Sequence, residues 1–175
     1  MNNFNKNIKN YILPIGLILI LSFSRLIPHP YNFTPILAAG VFSGFYFKQF
    51  FLGWFIIIFS MFIGDLFIGF HATMFFTYIA LVVPVALGIF MKRFKFNAIV
   101  VTSLISSIAF FLTTNFGAWL VLDMYEKNFA GLINSYVLAI PFFHNTLIST
   151  FIYLLLTKVL FDFLNKKKAV KAPIS

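Results

Sequence analysis

Six apolar stretches, each closed by a short polar or proline-bearing connector, follow one another along the chain, at about residues 11–27, 34–47, 50–69, 73–91, 97–122 and 136–163. Several have no polar face and approach the roughly 20 residues that cross a hydrocarbon core about 30 Å thick, so they predict transmembrane helices. The second stretch is short, which implies a tilt or an embedded flank. Pro28, Pro30 and Pro35 exclude a continuous helix between the first two stretches. Within the second, Gly40 and Gly44 stand four residues apart with Ala39 and Ser43 beside them, a spacing that lets helix backbones approach closely.

The connectors alternate in charge. Lys6, Lys9, Lys48, Lys92, Arg93, Lys95 and the group Lys166, Lys167, Lys168 and Lys171 fall at alternate ends of the stretches. Lys/Arg excess marks the cytoplasmic side. Six crossings with both termini cytoplasmic put eleven of the 13 basic residues inside, counting a snorkelling Lys158, and leave Arg25 and Lys127 outside. Five crossings would put the terminal lysines outside. Ser22-Phe23-Ser24 has the form of a signal-peptide cleavage site, but the rest of the chain is itself apolar, so an uncleaved first helix is expected. The predicted fold is an all-α membrane protein. It is one integral domain, a bundle of about six transmembrane helices with both termini cytoplasmic, and residues 164–175 form a basic tail.

Composition agrees. At 61% hydrophobic and 10% charged over 175 residues, the chain has more apolar surface than a soluble domain of that length can hide. The net charge of +9 then reads as orientation signal and attraction to anionic inner-leaflet lipids, not as a nucleic-acid surface. The absence of cysteine excludes disulfides, thiolate catalysis and Cys-based metal sites. No Walker motif, phosphate-binding glycine loop or Ser-His-Asp spacing is present, so the chain is not an ATPase and is not expected to be an enzyme. No HExxH or comparable metal spacing occurs, and neither a metal nor a cofactor is expected.

The polar groups that remain gather at the other ends of the stretches. His29, His71 and His144 lie there with Arg25, Asp65 and Asn115. Asp65 is fifteen residues from Phe50 and Arg25 fifteen from Asn10, so each lies about 22 Å from the inner boundary at 1.5 Å per residue. A lone charge at that depth is costly, and each is the simplest partner for the other. Two readings stay open: a structural ion pair, or a site in which Arg25 receives an anionic group and Asp65 orients it. Each histidine alone is an ordinary interface anchor or structural group; three on one face favour ligand binding. Asn115 needs hydrogen bonds within the membrane, from a neighbouring helix or from a ligand flanked by Trp119 and Tyr78. The candidate binding residues are Arg25, Asn32, Asp65, His71, Asn115, Trp119, His144 and Asn145.

The run Arg25-Leu26-Ile27-Pro28-x-Pro30-x-Asn32-Phe33-x-Pro35, followed by Ala38-Ala39-Gly40-x-Phe42-x-Gly44, resembles the start of the substrate-binding S component of energy-coupling factor vitamin transporters. Ser60 to Asp65, Gly69-Phe70-His71 and Asn115-Phe116-x-x-Trp119 are more similar to a related, uncharacterised family of small bacterial membrane proteins. The resemblance implies a six-helix protein of the bacterial inner membrane with a ligand pocket in its outer half. It also implies a vitamin-like small molecule as substrate, and a transmembrane coupling subunit with ATPases as partners; Arg25, the deepest outer-half cation, favours an anionic or zwitterionic one. S components usually carry an alanine-spaced coupling motif on the first helix, where this chain has Gly16, Ser22 and Ser24. The function expected is binding and uptake of a small molecule. The rivals are a structural or assembly membrane protein without a ligand, and an intramembrane enzyme with His71 or His144 as acid–base group.

Overall fold

A computed structural model describes residues 12, 15, 16 and 18–170, with side chains as far as Phe163. Lys6, Lys9, Lys171 and the side chains of Lys166, Lys167 and Lys168, part of the predicted charge pattern, lie outside what is described. Among the described residues the secondary structure is entirely helical. After α1 (residues 18–24) come α2 (Ile36–Phe47), α3 (Phe50–Ile68), α4 (Met74–Ala80), α5 (Val82–Phe90), α6 (Phe96–Val121), α7 (Phe129–Val137) and α8 (Ile140–Val170).

Among the described residues three helices are long and apolar enough to cross a membrane: α3, α6 and α8 over Ile140–Phe163. Their faces are inverted relative to a water-soluble bundle. On α3 the buried positions include Gly53, Ser60, Gly64 and Asp65, while Phe51 and Phe67 are 81% and 71% exposed. The buried face of α6 carries Thr102, Ser103, Ser106 and Ser107, and that of α8 carries Thr146, Ser149 and Thr150. Leu104, Ile108 and Leu112 on α6, with Ile152, Leu156 and Leu160 on α8, face outward. Small and weakly polar residues inside with large apolar ones outside suit a helix bundle in lipid, where packing rather than water exclusion joins helices. In water the same exterior would be an aggregating surface. This is a membrane protein.

The shortest apolar stretch forms the centre. Helix α2 packs against α5, α3, α8 and α6, and contributes Ile36 and Leu37 to one core cluster and Ala38 and Val41 to another. Its contact with α5 depends on two absent side chains. A Cβ on Gly44 would run into the carbonyl oxygen of Val85, and one on Gly88 into that of Val41. The predicted close approach at Gly40 and Gly44 is thus helix packing.

Two elements depart from the sequence expectation. The fourth stretch is split at Leu81 into α4 and α5. Pro84 has no N–H for the carbonyl of Ala80, and its ring crowds that carbonyl, so the helix cannot run through. The expected connector before the sixth stretch holds α7. Asn128 caps it, its side chain accepting from the backbone N–H of Gly131 at 2.8 Å. α8 then starts at Ile140 rather than Tyr136, with Pro141 in its first turn, where a missing N–H is tolerated.

Candidate functional site

The site is built where α1 ends. Residue 25 follows the last helical residue of α1 in a turn closed by the N–H of Leu26 donating to Phe23 O at 3.1 Å. From there Arg25 reaches across α3. Its Nη1 donates to Met61 O at 2.9 Å and to Asp65 Oδ1 at 2.6 Å. Met61 and Asp65 stand one helical turn apart on α3, so a single nitrogen spans both. The second oxygen of Asp65 accepts from Tyr78 Oη on α4 at 2.6 Å. The Asp65 side chain is wholly buried and that of Arg25 is 16% exposed. Each carboxylate oxygen therefore has a partner, which makes a buried negative charge tolerable. Below this, Ser22 Oγ meets the carbonyl and hydroxyl of Ser60 at 3.2 and 3.3 Å and continues the α1–α3 seam.

Beside the ion pair is a cavity of about 320 Å³. Arg25, Asn32 and Thr34 line one side, His71, Thr73 and Thr77 another, and Phe110, Thr114 and Asn115 of α6 a third, with Ile36 and Met61. Asn32 takes part from a left-handed backbone conformation (φ 61°), which asparagine adopts more readily than most residues. The lining is polar in both senses. Arg25 spends only Nη1 on the protein; Nε and Nη2 have no acceptor among the described residues. Thr77 and Thr114 donate their hydroxyls to Thr73 O and Phe110 O, and Asn115 donates Nδ2 to Phe111 O at 2.8 Å. That leaves the threonine oxygen lone pairs and Asn115 Oδ1 as acceptors. The cavity can thus hold a small molecule that carries both an oxygen acceptor and an N–H or O–H donor.

A family model covers residues 5–172. The chain belongs to the family of unknown function DUF6580. No curated protein and no solved structure matches it.

Not every residue singled out in the sequence reaches the cavity of this family member. Arg25, Asn32, His71 and Asn115 line it, and Asp65 lies behind Arg25. Trp119, His144 and Asn145 do not line it. Trp119 Nε1 donates to Glu126 O at 3.0 Å, holding the loop before α7, and its ring packs on Phe116. Asn145 Nδ2 donates to Tyr31 O at 3.0 Å and ties α8 to the connector after α1. His144 is exposed beside Phe143. The three histidines share no site: His29 is also exposed, its Nδ1 2.6 Å from Ile27 O, while His71 Nδ1 lies 2.9 Å from Thr73 Oγ1. Among the described residues no three His, Asp or Glu side chains group to hold a metal. Tyr78, expected as a flat wall for a ligand, is the second partner of Asp65. Thr34, Thr73 and Thr77 were not singled out. The i, i+4 spacing of Thr73 and Thr77 is the signal for the last two, because it puts both hydroxyls on one side of an otherwise apolar turn.

Proposed function

We propose that the chain binds a small polar molecule in the cavity beside Arg25, from the outer side of a bacterial inner membrane, and takes part in its uptake. The observation that carries this reading is the unfilled donor capacity of Arg25. A half-buried guanidinium with Nε and Nη2 unused, at the wall of a cavity, is suited to two parallel hydrogen bonds to a ligand oxygen pair. The cavity is at the end of the bundle opposite Lys48 and the loop from Met91 to Lys95, whose shared end is marked by Lys48 Nζ donating to Ile89 O and Met91 O. Lys/Arg excess makes that basic end cytoplasmic and the cavity end external, within a six-crossing arrangement with both termini inside. Asp65 already balances the charge of Arg25, so the favoured ligand is zwitterionic or uncharged with a carbonyl, rather than a bare anion. Delivery inward through a coupling subunit and ATPases draws its support from the resemblance of the Arg25–Gly44 run to S components.

The test is thermal stabilisation of the purified chain across a panel of vitamins and zwitterionic metabolites, with native mass spectrometry for a copurifying molecule. A ligand at a hundred times its dissociation constant stabilises by about 2.7 kcal/mol. We expect at least one such compound, with its effect roughly halved in Asn115→Ala at the same concentration. A panel without effect and no copurifying molecule would support a second reading, in which the polar cluster only fixes the helices. The closed Arg25–Asp65–Tyr78 array joining α1, α3 and α4 favours that rival.

A further inference from the structure

The basic end of the bundle carries a second concavity. It has a volume of about 430 Å³ and lies between the end of α5 and the first turns of α6. Leu87, Phe90 and Val101 form its apolar side, and Lys92, Arg93 and Lys95 its rim. The loop holding those cations is anchored. Phe94 turns inward, stacks on Phe45 with ring centres 5.1 Å apart and meets Phe161 edge-on, while Lys92, Arg93 and Lys95 stay exposed. Lys95 N donates to Arg93 O at 2.9 Å, which closes the loop tightly and gathers the three charges. None of the three has an ion-pair or side-chain hydrogen-bond partner among the described residues, whereas Lys48 nearby is occupied by the carbonyls of Ile89 and Met91. The chain has four acidic residues: Asp65 is paired with Arg25, Asp162 with Lys158, and Asp123 and Glu126 lie in the connector beyond the far end of α6. Among the described residues no carboxylate lines the concavity.

We propose that this concavity holds one anionic phospholipid of the cytoplasmic leaflet. Its phosphate contacts Lys92, Arg93 and Lys95, and an acyl chain lies along Leu87, Phe90 and Val101. Charge complementarity selects an anionic headgroup, because three uncompensated cations at a membrane surface each attract one by about 1 kcal/mol, a factor of about five in affinity. The apolar side selects a lipid over a soluble anion. Phe90 is 81% exposed, so an acyl chain has open access to it.

The experiment is native mass spectrometry of the full chain released from nanodiscs of equal phosphatidylglycerol and phosphatidylcholine. Wild type is expected to retain phosphatidylglycerol in preference. Arg93→Gln should weaken that preference about fivefold at unchanged melting temperature, with Lys92 and Lys95 still marking orientation. Lys127→Gln, at the other end, should leave it intact. Equal retention of the two lipids by wild type, or an undiminished preference in Arg93→Gln, overturns the proposal. Displacement of phosphatidylglycerol by excess inorganic phosphate overturns it in favour of a soluble anion. Retention of neither lipid overturns it. Should Arg93→Gln fail to fold, the lipid comparison and the phosphate competition on wild type still decide.

Discussion

Gly64 makes the room in which Arg25 lies. A Cβ at that position would stand 2.9 Å from Arg25 Nη1 and 3.2 Å from its Cδ, so the guanidinium rests directly on the backbone of α3. The ion pair and the cavity wall both follow from this missing side chain. Gly64→Ala should displace Arg25 from Met61 O and Asp65. Alanine is the better helix former by about 1 kcal/mol, so a lower melting temperature would report the lost Arg25 contacts against an intrinsic gain. Ligand-induced stabilisation should vanish in the same variant.

Asp65 and Arg25 should respond unequally to single and double replacement. Asp65→Asn leaves a mostly buried cation unpaired and is expected to destabilise by about 3–5 kcal/mol. Tyr78→Phe removes one hydrogen bond to a charged group, worth about 1.5–3 kcal/mol. Replacing both charged residues together, as Arg25→Met with Asp65→Leu, should be milder than Asp65→Asn alone. Melting of each purified variant checks the order. If the double variant stays folded, it should still bind no ligand.

The glycines of the α2–α5 contact should be intolerant of any side chain. Gly44→Ala and Gly88→Ala push a methyl group into a backbone carbonyl of the facing helix and are expected to destabilise by about 1–3 kcal/mol. Gly16→Ala meets nothing within 4 Å and serves as the comparison that keeps or gains stability, alanine being the better helix former. Equal melting temperatures for all three would contradict the packing described here.

Ligand binding should separate the residues gathered at the cavity from those that are not. Asn115→Ala and Thr77→Val are expected to reduce affinity about tenfold, the effect of one well-placed hydrogen bond. His144→Ala should leave affinity unchanged. Titration by thermal shift gives all three values, and a large His144 effect with a silent Asn115 would move the site.

The absence of cysteine allows single-cysteine labelling to test topology. Arg93→Cys should react only after the membrane is made permeable, and Glu126→Cys in intact cells. Labelling of both from outside would break the six-crossing arrangement.

Local chemistry was enough to read the membrane class and most helix boundaries. Continuous apolar runs ended by prolines and charged connectors leave little choice once lipid is the solvent, since every backbone group must be satisfied within its own helix. The ends of α2, α3 and α6 fall within two residues of the expectation. The pairing of Arg25 with Asp65 was also legible, because two isolated charges at equal depth have few other partners. The split at Leu81 was legible from Pro84 but easily lost in an apolar run, and α7 depended on one capping asparagine. Tertiary structure alone decided the rest. Whether Trp119 and His144 face the cavity or the surface depends on the rotation of α6 and α8. Small hydroxyl residues mark the buried sides of α6 and α8 but do not extend to Trp119 or His144, whose facing the pattern leaves open. The rotation is set by close packing at Gly117 against Phe76 and by the buried hydroxyls of Ser149 and Thr150. The second partner of Asp65 likewise appeared only in the folded chain, since the twelve residues between them carry no signal that Tyr78 on α4 will meet it.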